Sequence, residues 1–405
     1  MTAAALLSRR GYKVVVLEQH DVAGGCTHTF EMNSSNSKPN GKPSAGYEFD
    51  VGLHYVGAEV GDRFSPFGYL FSTITQNQLI WNELDTDFDS ACISRILATQ
   101  TRRCVSDSGA KESVSTDAKH IFSVGTDEAY AKRLLERFPK ANLQEIKRLN
   151  NICRWIELLM PVYCTLKVLP LWLSNIVSVI TNLVLIPALS TSTREMIAGC
   201  TTDEELIGVI SYCYGDYGVP PKRSAFLMHA LLAVHFRQGA FYPVGGSSEI
   251  AKTIIPTILA AGGYVFVRAP VTEIILSEDR ARAEGVLVRG VEIRAPIVIS
   301  AAGVATTFNK LLCQKPGDGT ADQYVERVRS LLLARPYYPN AKFTVDSNIA
   351  NPVLPDPARA LTEKDFFNML EPSCPMLTLF VGVNRSCEEL GATSQNKWVV
   401  SKLGR

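Results

Sequence analysis

Apolar and polar positions follow three regimes along this chain. Residues 3–10 carry apolar positions at helical spacing, and the pattern breaks at Gly11, the usual place of a helix C-cap. Residues 13–17 form a β-branched run too short for a helix, which predicts a buried strand. The polar stretch 33–46, rich in Asn, Ser, Pro and Gly, predicts a surface loop. Strand-like patterns follow at 47–56 and within 93–124. From 126 to about 235 the spacing turns mainly helical, with acidic starts after Thr126 and after Thr202. Ser247 and Ser248 open a helix that ends at Gly262-Gly263, and strands fill 264–300. No internal repeat is visible.

The order β–α–β, a mostly helical insertion, then a return to strands predicts an α/β fold. Its frame is a doubly wound, Rossmann-like nucleotide-binding domain with an α+β substrate domain inserted. A length of 405 residues suits two interleaved domains, and 46% apolar with 20% charged residues is an ordinary globular mixture. A net charge of +1 gives no reason to expect nucleic acid. The ten cysteines stand singly, without metal-ligand spacing, so no metal site is expected, and a reducing environment suits them. The opening MTAAALLSRRG has too short an apolar run for a signal peptide.

The chemistry is most legible in KVVVLEQHDVAGGC, residues 13–26. A strand ending in an acid is the second strand of a dinucleotide-binding unit, where the carboxylate accepts both hydroxyls of an adenosine ribose. Glu18 holds that place; alone, it reads equally well as a strand-end surface residue. Gly24 and Gly25 follow where a chain passing a pyrophosphate tolerates no side chain, although alone they are a turn. Together the two features favour a flavin dinucleotide.

This stretch and those that follow it resemble the retinol saturase branch of the phytoene desaturase-like flavoproteins. Matching blocks are FDVGLHYVG from Phe49, SAFLMHALL from Ser224, QGAFYPVGGSSEIA from Gln238, AGGYVFVRAPVTEI from Ala261 and APIVISAAG from Ala295. The resemblance implies an FAD-binding doubly wound domain, with Glu18, Gln19, Gly24, Gly25, Cys26, Val271 and Gly303 at the cofactor. Val271 corresponds to the residue whose backbone meets the adenine. It further implies reduction of the 13,14 double bond of all-trans-retinol, NAD or NADP as ultimate electron donor, and an endoplasmic reticulum membrane. Alternatives within the same resemblance are a carotenoid desaturase or isomerase, an inactive truncated product, and a non-catalytic lipid-binding relative.

The family's opening strand and G-x-G-x-x-G loop, and its closing Gly–Asp segment, have no match here; Gly317-Asp318-Gly319 lies in a polar loop. The chain is therefore expected to be incomplete at both ends and to hold FAD poorly by itself. Domain limits are expected at 1–60 and 241–312 for the FAD-binding parts, and at 61–240 and 313–405 for the substrate domain.

Two further features bear on substrate. No charged residue occurs between Lys167 and Arg194, and 171–186 is an apolar run between Pro170 and Pro187. As a helix it spans about 24 Å, short of a bilayer crossing. Ser174, Asn175, Ser178, Thr181 and Asn182 give it one narrow polar stripe. The segment 168–189 is read as lying in a membrane surface beside a lipid entrance; a buried helix is the alternative. His54 and Tyr242 are weak candidates for groups near the flavin, while His229, three residues from Phe226 on one helix face, reads as a core histidine.

Overall fold

The computed structural model describes residues 1–33, 46–57, 59–85, 88–94, 118–123, 128–138, 143–166, 168–237, 239–279, 281–303, 306–312, 378–383, 385–391 and 396–401. Of the expected loop at 33–46, residues 34–45 fall outside these residues, as do 95–117, the start at Thr126 and Gly317-Asp318-Gly319, whereas Asn33 and Gly46 are strand ends.

The helices in chain order are α1 (Thr2–Arg9), α2 (Pro66–Thr75), α3 (Glu128–Arg137), α4 (Leu143–Leu166), α5 (Leu171–Ser190), α6 (Thr193–Ala198), α7 (Glu204–Ile210), α8 (Tyr214–Tyr217), α9 (Phe226–His235), α10 (Glu249–Ala260) and α11 (Cys387–Leu390). The strands are β1 (Val15–Leu17), β2 (Thr29–Asn33), β3 (Gly46–Asp50), β4 (Trp81–Glu83), β5 (Asp89–Ser94), β6 (Ala118–Ser123), β7 (Phe241–Pro243), β8 (Tyr264–Phe266), β9 (Val271–Leu276), β10 (Ala283–Val288), β11 (Val291–Arg294) and β12 (Asn396–Ser401).

The chain divides into two compact units. One comprises Met1–His28, Ile74–Gln76 and Ile250–Pro372, the other Thr29–Thr73, Asn77–Glu249 and Ser373–Arg405.

In the first unit, α1 ends at Arg9 with Arg10 as its C-cap, and Gly11 follows with φ +86°, a left-handed exit that suits glycine. Strand β1 then pairs in parallel with β8, Val15 opposite Tyr264 and Leu17 opposite Phe266. Parallel pairing needs a crossover, and α10 supplies the approach to β8. Strands β9, β10 and β11 form a separate antiparallel meander. Contrary to the expectation of a buried strand, Val15 is 42% exposed. A β-branched run is buried only when layers or strands flank it, and among the described residues β1 has β8 alone as partner. The run at 297–300 is no laddered strand either, and Ile297 and Ile299 are exposed.

The second unit has a helical core. Leu149, Cys153 and Ile156 of α4, Leu185 and Ala188 of α5, and Phe226, Leu227 and Ala230 of α9 pack together with Ile197 and Ile207. Fully burying each large side chain of this kind stabilises by about 1.5–3 kcal/mol. Leu134, Phe138 and Ile146 extend the core toward Leu206 and Val209. A mixed sheet, β12 parallel to β5 and β5 antiparallel to β6, and the two-stranded pairs β2–β3 and β4–β7 complete the unit.

Three local expectations shift. The cap of α7 is Asp203, whose carboxylate accepts from the Glu205 and Leu206 backbone N–H groups, so the start lies one residue beyond Thr202. Strand β3 stops at Asp50, short of residue 56, and Val56 makes only a bridge to Phe241. Helix α5 runs through Pro187 to Ser190. Proline forfeits one intrahelical bond, and Pro187 lies on the exposed side of the helix with Leu183.

Candidate functional site

In the first unit the site is built around the end of β1. The Glu18 N–H donates to Phe266 O at 2.8 Å and Glu18 O accepts from Ala269 N at 2.8 Å, so the backbone of Glu18 is locked into β8 and the chain leading to Val271. Glu18 Oε1 accepts the His20 N–H at 2.9 Å, and among the described residues Oε2 has no partner. A half-exposed carboxylate with an open oxygen, fixed at its backbone, is what two ribose hydroxyls require. Gln19 beside it is exposed.

Gly24 and Gly25 follow with φ +135° and +59°. A Cβ on Gly24 would stand 3.1 Å from both Ala251 Cβ and Thr27 Oγ1, so this backbone lies tight against α10 and could not carry a side chain without a shift. Thr27 N and Oγ1 both donate to Gly24 O, closing a short 3₁₀ turn over Gly25–Thr27. Beside Gly25 the space is open, and Cys26 is exposed as a free thiol. Val271 opens β9 opposite Val288, and Gly303, with φ +88°, accepts from Thr307 N and Oγ1. Thus Glu18 is bonded to Ala269, two residues before Val271, whereas Gly303 has no bond to either. The carboxylate, the tight glycine and the open space beside Gly25 fit the adenosine end of a dinucleotide.

In the second unit Tyr242 lies on β7 opposite Asn82 of β4. Its hydroxyl donates to Asp50 Oδ2 at 2.5 Å, and Ser247 Oγ donates to Asp50 Oδ1 at 2.5 Å. Asp50 thus gathers two hydroxyls from either side of the Gly245–Gly246 turn, where φ is +93° and +95°. Burial, and then the hydrogen bond to Asp50, push the Tyr242 phenol above its ordinary range. Its proton is committed to Asp50, so Tyr242 is a poor general acid. His54 is exposed, two residues before the Val56 bridge to Phe241, which brings its loop alongside β7. Asp50 is the residue that sequence reasoning missed; it lies in the FDVGLHYVG block, yet 192 positions separate it from Tyr242.

A second polar cluster is fully enclosed. Asp89 accepts from Tyr55 OH at 2.7 Å and Tyr212 OH at 3.1 Å, both on Oδ2. Burial above all raises the Tyr55 phenol. His229 is buried within the core as expected, 6.0 Å from the Phe226 ring, with Cys213 Sγ 3.9 Å from Nδ1. Burial lowers His229 to about 4 and raises the Cys213 thiol. Both are neutral at pH 7, so they are no activated thiolate–imidazolium pair.

The comparisons place these features among known proteins. Residues 1–65 match a family described as an NAD(P)-binding Rossmann-like domain. All-trans-retinol 13,14-reductase of Danio rerio is 35% identical over 323 residues, covering 77% of this chain and 47% of that protein. The protein of the same name from Rattus norvegicus is 32% identical over 413 residues, covering 98% of this chain and 54% of its own length. A Danio rerio protein named inactive all-trans-retinol 13,14-reductase is 31% identical over 338 residues, covering 81% and 50%. The chain spans about half the length of the curated relatives it matches.

Proposed function

From its homology to all-trans-retinol 13,14-reductases, we propose that this chain carries the dinucleotide and substrate-handling parts of a flavin-dependent oxidoreductase that saturates the 13,14 double bond of all-trans-retinol. The observation that carries this reading is 35% identity over 323 residues, a stretch long enough to include both polar constellations. FAD is the cofactor proposed, and when bound it supplies the hydride, with NAD or NADP as ultimate electron donor. Glu18 would hold the adenosine ribose, the Gly24–Gly25 backbone would allow close approach of the pyrophosphate, and Val271 and Gly303 would flank the cofactor. Gln19 and Cys26 complete that surface. No general acid is assigned: Tyr242 is engaged by Asp50, and His54 stays the weaker candidate.

The substrate is a membrane lipid, and α5 supports a docking surface for an endoplasmic reticulum membrane. Trp172, Val179 and Leu183 on α5 are 67%, 64% and 74% exposed, and Trp155 and Leu158 on the packed neighbour α4 are exposed as well. No helix among the described residues is long and apolar enough to cross a membrane.

The test is turnover. A version extended to the length of the relatives is loaded with FAD, reduced with NADPH or dithionite, and given all-trans-retinol or a carotene, with products separated by chromatography. A retinol product heavier by two hydrogens is expected, with the carotene unchanged. Change in the carotene alone would favour the desaturase or isomerase alternative. The similarity to a relative named inactive supports a second reading, a non-catalytic lipid-binding protein. Flavin-loaded protein that leaves both polyenes unchanged would favour it.

A further inference from the structure

The groups around Tyr242 leave its oxygen a single role toward a ligand. A phenol has one hydrogen to give and lone pairs with which to accept. The hydrogen of Tyr242 is held by Asp50 Oδ2 at 2.5 Å, and the other oxygen of Asp50 is taken by Ser247 at 2.5 Å, so Asp50 has no competing geometry to adopt. The carboxylate of Glu48 adds negative charge: its Oε1 lies 3.6 Å from where a Cβ on Gly246 would stand. Both Asp50 and Glu48 disfavour ionisation of Tyr242, which therefore stays an intact phenol. Tyr242 is half-buried, and the Ser247 backbone N–H engages one lone pair of its oxygen, which leaves one with which to accept from a ligand.

Resting on the reading above, we infer that Tyr242 is an acceptor-only contact that selects the alcohol form of the polyene over its aldehyde and carboxylate forms. An alcohol donates its O–H to the phenol oxygen. An aldehyde has no hydrogen to donate and meets lone pair with lone pair. A carboxylate adds repulsion from Asp50 and Glu48. Asp50 is the positioning residue, because its Oδ2 accepts the phenol hydrogen. The preference is thus set two bonds away from the ligand.

The experiment is a binding titration of the 405-residue chain, followed by quenching of its tryptophan fluorescence, with all-trans-retinol, all-trans-retinal and all-trans-retinoate. The alcohol is expected to bind about tenfold tighter than the aldehyde, the scale of one net hydrogen bond, and the carboxylate weakest. Tyr242→Phe should lower alcohol affinity to that of the aldehyde while the aldehyde is unchanged. Asp50→Ala should free the phenol hydrogen, so that the aldehyde gains affinity, a change that mere structural damage does not produce. Tyr242→Phe decides the question if Asp50→Ala does not fold. Equal binding of alcohol and aldehyde by the wild type, or a preference that survives Tyr242→Phe, overturns the assignment and leaves the reductase reading standing. A wild type that binds none of the three retinoids overturns the reading itself.

Discussion

At the scale of single residues, Glu18 combines a fixed backbone with an open carboxylate oxygen. In a full-length version loaded with FAD, Glu18→Ala removes two charge-assisted hydrogen bonds to the ribose, each contributing about 1.5–3 kcal/mol. Flavin absorbance retained after dialysis should fall sharply; retention equal to the wild type would remove Glu18 from the site. His229 carries a pH dependence. Its folded pKa, about 4, lies below the ordinary 6.5 because burial penalises the imidazolium. The unfolded chain therefore binds the proton first, and His229 costs the fold nothing above pH 6.5 but increasingly much as pH falls toward 4. Between pH 7 and pH 5 His229 contributes a loss of about 2 kcal/mol, read as the difference between the urea-unfolding profiles of the wild type and His229→Gln, because Asp216, pushed up to about 7 by burial, moves stability the opposite way in the same window. Glu18 was legible because its strand, its acid and its glycines are contiguous. Asp50 was not, because the partners that give it meaning arrive 192 and 197 residues later.

At the scale of elements, α5 inverts the usual arrangement. Its polar stripe faces inward, with Ser174, Ser178 and Thr181 buried, and Thr181 Oγ1 donates to Ser178 O. Trp172, Val179 and Leu183 face outward, while Leu185 stays in the core. The stripe was readable from the spacing, but its direction depends on what α4 and α9 place against it. Small hydroxyl residues let helices pack closely and satisfy their own polar atoms locally. Replacing Val179 and Leu183 together by Asp should leave the melting temperature near that of the wild type, because both are exposed already. It should release the protein from anionic liposomes in a pelleting assay, since each apolar side chain inserted in a membrane contributes about 1.5–3 kcal/mol. A double variant that pellets as the wild type does would make α5 an ordinary surface helix.

For the molecule as a whole, the apolar surface of the first unit is the open question of energetics. Val15, Tyr264 and Phe266 on β1 and β8, with Ile297 and Ile299, are exposed together in one unit. Exposed apolar surface on this scale favours association. Ile297→Thr with Ile299→Thr should lower binding of a hydrophobic dye such as anilinonaphthalene sulfonate and slow aggregation, without lowering stability. Unchanged dye binding would place the accessible surface elsewhere. The chain alone determined the α/β class, the helix ending at Gly11, the strand leading to Glu18 and the core place of His229. Each follows from residues within one or two turns of each other, where backbone preference and side-chain period act directly. Only the tertiary structure decided the Asp50 clamp on Tyr242, the Asp89 anchor of Tyr55 and Tyr212, the inward face of α5 and the exposure of β1. Those depend on which distant segments meet, and a local pattern specifies that a face is apolar or polar without specifying what covers it.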